Sequence, residues 1–128
     1  MISRFREESM PVIKIQHESK ALGLLKGKEG FDVVRSIKFA DGDTSIVKTR
    51  ANSFINTELG SILKQNRIDN LVICGFAAEA CVFQTYRGSK KQHYGAVVLK
   101  GGIASGTKLL LRIIENITKA KTNEEIEI

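Results

Sequence analysis

Cys81 is the residue of this chain best placed to act as a nucleophile. It follows an apolar, β-branched run at residues 71–74, which reads as a fully buried strand. Gly75 ends that run, and a helix is predicted to begin near Glu79 with Cys81 in its first turn. The N–H groups and the positive dipole end of a helix start favour a thiolate over a thiol. The carboxyl end of a buried strand is also where open α/β sheets bind their ligands.

Predicted strands and helices alternate around this cysteine. Strands are predicted at residues 12–16, 44–48, 71–74 and 96–99, with a short extended segment at 32–37. Helices are predicted at residues 2–9, 57–66, 79–92 and 107–119, the second capped by Asn52 or Ser53 and the last by Ser105 or Thr107. The core face of the last helix is predicted to contain Leu109, Leu110, Ile113, Ile114 and Ile117. This alternation indicates an α/β fold with a mostly parallel sheet.

Composition predicts one domain, residues 1–128, of an ordinary globular type. The net charge of +6 suggests nucleic-acid binding, but the lysines are scattered and only Arg87, Lys90 and Lys91 form a cluster. No series of aromatic residues lies between them, so a solvated basic face is the preferred interpretation and no nucleic-acid partner is expected.

Membrane insertion and secretion are not expected either. No apolar run approaches the ~20 residues that a spanning helix needs, and the first residues contain no apolar signal segment. Cys74 and Cys81 lie too close together in the strand–turn–helix interpretation to suggest a structural disulfide. A cytoplasmic protein with reduced thiols is therefore predicted.

Four segments resemble one protein family, the isochorismatase-like cysteine hydrolases. Gly75-Phe-Ala-Ala-Glu-Ala-Cys-Val82 is similar to the family's nucleophile motif, Gly-x-x-Thr/Ala-Glu/Asp-x-Cys-Val. Lys48-Thr-Arg-Ala-Asn-Ser-Phe54 resembles its Lys-x-x-x-Ser-x-Phe segment, with the serine shifted in position. Residues 11–18 and 94–105 resemble its second strand and the strand after the nucleophile. The resemblance implies a three-layer α/β/α fold with a mostly parallel, Rossmann-like sheet.

The resemblance also implies an activity, hydrolysis of a small amide- or ether-type substrate through a thioester on Cys81. Lys48 would stabilise the thiolate and the developing oxyanion, although a solvated surface lysine is the ordinary alternative. The backbone N–H groups of Ala77 and Cys81 would bind the oxyanion, and the Phe76–Ala77 peptide bond would be cis. A small thiol packed as a hydrophobe is the alternative for Cys81. No cofactor is implied, and a homo-oligomer is expected.

Three further residues are predicted to line the substrate pocket: Phe54, His17 and Arg50. Phe54 is equally compatible with a place in the core. His17 and His93 are the only imidazoles, and two isolated histidines do not build the metal site of the nicotinamidase branch, so no metal is expected. Glu79 is expected to place a favourable negative charge at the helix start rather than to act on the thiol.

The family's first strand, central in its sheet and carrying a catalytic aspartate, has no counterpart in these residues. The aspartates of this chain match no family position: Asp32, Asp41, Asp43 and Asp69. Gly101 stands where the family often has an acid. Without that strand two rows of backbone groups lose their partners, at about 1–3 kcal/mol for each buried group. The sequence therefore predicts either a longer natural protein, of which this domain lacks the N-terminal part, or a catalytically inactive remnant with a structural or binding role.

Overall fold

The computed structural model describes all residues from 1 to 128 and has an α/β fold. In chain order the elements are α1 (Ile2–Glu7), β1 (Ile13–His17), β2 (Thr44–Lys48), α2 (Leu59–Gln65), β3 (Asn70–Phe76), a π-turn (Ala78–Val82), α3 (Phe83–Lys91), β4 (Gly95–Ala104) and α4 (Lys108–Ile117). None of these helices has the length and hydropathy needed to cross a membrane. The strands form two parallel pairs, β1 with β2 and β3 with β4.

Internal contacts divide the chain into two compact units. The first contains Met1–Arg50 with Ile128, and the second contains Ala51–Glu127. Each unit holds one of the two parallel strand pairs. The predicted parallel pairing is confirmed, whereas the single domain of residues 1–128 stays a prediction.

The first unit is built on β1 and β2, which run in register from Ile13 opposite Thr44 to His17 opposite Lys48. Arg6 of α1 donates hydrogen bonds of 2.7 Å to both carboxylate oxygens of Asp43, in the turn before β2. This pairing, together with the Ala40 N–H, lowers the pKa of Asp43 to about 2. A bidentate charge-assisted pair thus ties α1 to the start of β2.

The Gln16 side chain of β1 holds the start of the segment at residues 31–32. Gln16 is buried, and its amide donates to the Phe31 carbonyl at 3.2 Å and to the Asp32 carboxylate at 3.1 Å. Residues 32–37 contain a turn at 35–36 and form no strand, so the prediction of an extended segment there is wrong. The Gln16 amide thus fixes the start of this segment through one backbone carbonyl and one carboxylate.

The second unit has its core between β3, β4, the π-turn and α4. The buried cluster contains Ala78, Val82, Val98, Ile103 and Ile114. The prediction that residues 71–74 are fully buried is wrong, because residues 71–73 are half-buried and Cys74 is exposed. β3 pairs only with β4, so it is an edge strand, although its apolar run is typical of a central one.

α4 is capped as predicted but packs on a different face. The Thr107 hydroxyl accepts the Leu110 N–H at 3.2 Å, the hydrogen bond of an N-cap. Of the predicted core face only Ile114 is buried; the others are exposed, at 69% for Leu109, 37% for Leu110, 42% for Ile113 and 55% for Ile117. The helix is apolar around more than one face, and helical spacing alone does not show which face meets the sheet.

An irregularity interrupts the pairing of β4 with β3. Ile73 lies opposite Val98 but Gly75 lies opposite Ile103, so residues 99–102 face the single residue Cys74. The excursion folds the Leu99 side chain against Gly102, where an added Cβ would lie 2.5 Å from Leu99 Cδ2. Position 102 therefore accepts only glycine without a shift of its neighbours.

Replacing Gly102 with alanine is expected to lower the free energy of unfolding by about 1–3 kcal/mol, because the methyl group must displace Leu99. Gly106→Ala is the matched control, since a Cβ there meets no atom within 4 Å and the expected change is within about 0.5 kcal/mol. Urea unfolding of the two variants measures both values. Equal stability of the two proteins would contradict this account of the excursion.

Candidate active site

Cys81 lies in the π-turn that follows β3 and leads directly into α3. Gly75 has φ +128°, a conformation rarely open to other residues. The Phe76–Ala77 peptide bond is cis, at the position where the resemblance implied one. Cys81 is half-buried and is not part of a disulfide. The chain thus places this thiol in the first turn of a helical segment, just past the carboxyl end of a strand.

The carbonyl of Ala77 closes the turn around the cysteine. It accepts the Ala80 N–H at 3.1 Å and the Val82 N–H at 3.2 Å. The second bond spans five residues, the wider spacing of a π-helix, which is frequent at functional sites. The assignment of the Ala77 and Cys81 N–H groups as oxyanion donors remains a prediction.

Glu79 lies in the first turn of this helical segment, as predicted from its position two residues before the cysteine. The residue is half-buried, and its Oε2 atom is buried with no hydrogen-bond partner. Most buried polar atoms have a partner, and one that lacks it costs about 1–3 kcal/mol. The positive end of the helix dipole offsets part of this cost.

Lys48 and His17 meet at the carboxyl ends of β2 and β1. They are directly opposite in the ladder, and the Lys48 Nζ lies 2.9 Å from His17 Nδ1 and 2.8 Å from the Arg50 carbonyl oxygen. Lys48 is only 4% exposed, so the alternative of a solvated surface lysine is wrong. An ammonium group only donates, so with Lys48 charged this contact assigns His17 Nδ1 as the acceptor and the proton of the neutral imidazole to Nε2.

The pKa of His17 is lowered from its ordinary value, first by burial and second by the positive charge of Lys48. Its folded-state pKa is thus below its unfolded-state value of about 6.5. The stability that depends on a neutral His17 is therefore fully present above that pH. It decreases as the pH falls from about 6.5 to the folded-state pKa.

The other two predicted pocket residues have separate environments. The Arg50 side chain is exposed, and its backbone carbonyl is the acceptor for Lys48. The Phe54 ring is half-buried and stacks on Tyr94, with centroids 5.8 Å apart and planes 20° apart. The stacking gives Phe54 a structural role. The prediction that Phe54 lines a substrate pocket remains a prediction.

Asn52 and Ser53 do not cap α2, whose N-cap position is Glu58. Asn52 Oδ1 accepts the Phe54 N–H at 3.0 Å. The Ser53 N–H donates to the Thr85 hydroxyl at 3.0 Å, and the two hydroxyl oxygens lie 2.9 Å apart in a buried setting. Thr85 of α3 therefore anchors the loop. Sequence reasoning missed Thr85, since nothing local in the sequence indicates a partner 32 residues away.

The structure thus defines two groups of predicted residues. The first unit brings together His17, Lys48 and the Arg50 carbonyl. The second unit contains the thiol, the cis peptide and Phe54. No set of three or more His, Cys, Asp or Glu side chains has an arrangement that could hold a metal ion.

Comparison with known families assigns the chain. The family model described as the isochorismatase domain matches residues 1–112. The chain belongs to the isochorismatase family. The resemblance inferred from the nucleophile segment is thereby confirmed.

The curated relatives that this chain matches are longer than the chain itself. YddQ of Bacillus subtilis, an uncharacterized isochorismatase family protein, is 30% identical over 124 residues, which cover 94% of this chain and 67% of YddQ. The ureidoacrylate amidohydrolase RutB of Caulobacter segnis is 28% identical over 95 residues, covering 73% of this chain and 40% of RutB. The chain also spans 57% of a second Bacillus subtilis family member, YrdC.

Two solved structures are similar in fold to this chain. The N-carbamoylsarcosine amidase of Thermoplasma acidophilum matches with a TM-score of 0.84 and 27% identity, over 99% of this chain and 80% of the amidase. The nicotinamidase SaPncA of Staphylococcus aureus matches with a TM-score of 0.80 and 20% identity, over 98% and 82% of the two chains. The second similarity supports the fold alone.

Replacing Lys48 with alanine is expected to raise the pKa of His17 toward its ordinary value, because one of the two causes that lower it is removed. NMR titration of the imidazole resonances measures this pKa. The same spectra of the unchanged protein should show the proton on Nε2 at pH 8. Lys20→Ala, at an exposed loop lysine, should leave both observations unchanged. A protonated Nδ1 at pH 8 would contradict the assigned hydrogen bond.

Proposed function

We propose that this protein is a hydrolase that cleaves a small amide through nucleophilic attack by Cys81. The observation that supports this most strongly is the half-buried thiol in a π-turn directly after β3, preceded by the Phe76–Ala77 cis peptide. RutB is named an amidohydrolase and the Thermoplasma relative an amidase. These names favour an amide over the ether alternative.

In the proposed reaction the Cys81 sulfur bonds to the substrate carbonyl carbon, and the carbonyl oxygen becomes an oxyanion. The N–H groups of Ala77 and Cys81 are the proposed donors to that oxygen. The family resemblance assigns stabilisation of the thiolate and oxyanion to the Lys48 ammonium group. Collapse of the intermediate breaks the C–N bond, the amine leaves with the proton that the thiol gave up, and a thioester remains. Water then attacks the thioester, releases the carboxylate and restores the thiol.

A catalytically inactive protein with a binding or structural role is the second candidate. The thiol must lose its proton to a base, and the surroundings of two aspartates favour structural roles. Asp43 is held by Arg6 and by the Ala40 N–H, and Asp32 accepts from Gln16. Both carboxylates are engaged in hydrogen bonds within the first unit, so which group serves as the base decides between the two candidates.

Cys81→Ser is expected to reduce amide hydrolysis by roughly a thousandfold or more, because a serine hydroxyl is a much weaker nucleophile in a site built for a thiolate. The measurement is amine release from a panel of ureido, N-carbamoyl and simple carboxamide substrates. A quenched sample should also show a covalent acyl adduct on Cys81 by mass spectrometry.

Cys74→Ser is the matched control, since Cys74 is the second free thiol; it should retain full activity. Alkylation in that background measures Cys81 alone, and Lys48→Ala should slow it at neutral pH. Absence of hydrolysis across the panel, with Cys81 no more reactive than Cys74, would favour the inactive protein.

We also propose that the protein forms a homo-oligomer, as expected of this family. The apolar row on α4 supports this proposal, because Leu109, Ile113 and Ile117 follow one another every four residues and all are exposed. Contiguous exposed apolar patches on soluble domains commonly mark contact surfaces.

Ile113→Glu is expected to shift the protein to a lower molar mass, because a charge at the centre of this apolar row opposes its burial in an interface. Sedimentation velocity at several concentrations measures the assembly. Arg112→Glu introduces the same side chain at the neighbouring exposed position and should leave the mass unchanged. An unaltered assembly in Ile113→Glu would exclude this face as the interface.

A further inference from the structure

A groove beside α3 is the feature of the second unit that the hydrolase proposal does not use. It has a volume of about 220 Å³ and is lined by Asn52, Gln84, Arg87, Gly88 and Lys91. The four α3 residues are spaced by three, four and seven positions along the helix, so they share one face. Asn52 comes from the loop that Thr85 anchors to the same helix. The groove is therefore built from two segments held together by buried hydrogen bonds.

The chemistry of this lining is strongly biased toward hydrogen-bond donors. It contains a guanidinium, an ammonium and two side-chain amides but no carboxylate. α3 itself has no acidic residue. Neither Arg87 nor Lys91 has a carboxylate within salt-bridge distance. Favourable charge at the helix C-terminus explains a lysine in the last turn, but it does not explain Arg87, which lies a full turn earlier.

Two of the donors are held in place by their neighbours. The Arg87 guanidinium carbon lies 5.9 Å from the centroid of the Phe83 ring, in a cation–π arrangement. Asn52 directs its Oδ1 to the Phe54 N–H, which leaves the Nδ2 group to donate elsewhere. The Asn52 amide lies so close to Gly88 that an added Cβ would come within 2.5 Å of it. Glycine at position 88 thus permits the close approach of loop and helix that forms the groove.

We propose that this groove binds a small oxyanion carrying a phosphate or carboxylate group. The guanidinium matches two oxygens of such a group in a planar fork, and the ammonium adds a point charge. The volume is below the roughly 300–1,000 Å³ of sites that enclose drug-sized ligands. A compact anion of a few heavy atoms therefore fits better than a nucleotide or a larger cofactor. This site is independent of the Cys81 chemistry.

The test is a titration of the intact protein with inorganic phosphate, and separately with succinate, followed by backbone amide NMR at constant ionic strength with chloride as reference. Saturable shifts are expected at residues 52, 84 and 88. The double variant Arg87→Gln, Lys91→Gln should weaken binding at least tenfold. Both side chains are exposed, so the fold should persist. Preference for phosphate or for succinate identifies which oxyanion the groove accepts.

Lys90→Gln is the matched control, because Lys90 lies on the same helix with its Nζ 5.6 Å from the Tyr86 ring centroid and does not line the groove. It should change the affinity less than twofold. Cys81→Ser should bind the anion unchanged, which separates this proposal from the hydrolase proposal. Absence of saturable binding for both anions, or an equal loss in Lys90→Gln, would overturn the assignment.

Discussion

The burial of two small side chains beneath the turn after β3 is the constraint on which the second unit depends. Ala78 and Val82 are four residues apart, so they share one face of the helical segment, and Ala78 is 0% exposed. Both pack into the cluster formed with β4 and α4, which holds the turn in one orientation. Position 81 is adjacent to the buried Val82 in the sequence, so its side chain points away from the buried face of the turn. The Cys81 thiol is therefore half-buried. The burial of Ala78 and Val82 thus sets the orientation of the turn that carries the nucleophile.

The same unit shows why an apolar run does not guarantee a buried strand. β3 pairs with β4 on one side only, and the excursion at residues 99–102 removes ladder contacts opposite Cys74. Towards its carboxyl end β3 therefore becomes exposed, and Phe76 is 72% exposed. An open edge with apolar side chains is a surface that proteins normally protect or use. The apolar composition of a strand indicates how much of it would be buried in a complete sheet. Its actual solvent exposure depends on which strands pair with it.

Local patterns predicted the elements well and their packing less well. The strand Thr44–Lys48, the Thr107 cap and the strand–turn–helix around Cys81 follow from alternation, capping chemistry and an apolar run ended by glycine, all of which act within a few residues. The face of α4, by contrast, depends on which of its apolar rows meets the sheet, and several rows are apolar. The His17–Lys48 contact could not be predicted from local sequence either, because it arises from the register of β1 on β2 across 31 residues of sequence. Residue types identified the candidate site, but tertiary pairing decides which of its members touch.

Gly88 weakens α3 as a helix, yet the packing of the Asn52 loop against α3 requires a glycine at this position. Glycine inside a helix costs about 1 kcal/mol relative to alanine, and on local grounds it marks the second half of α3 as a weak point. The structure resolves this conflict, because the missing side chain lets the Asn52 amide lie against the helix backbone. The buried Ser53–Thr85 pair then fixes the loop one turn of helix away. The backbone entropy lost at Gly88 is offset by hydrogen bonds and contacts between distant segments. Helix propensity describes only the first of these two contributions.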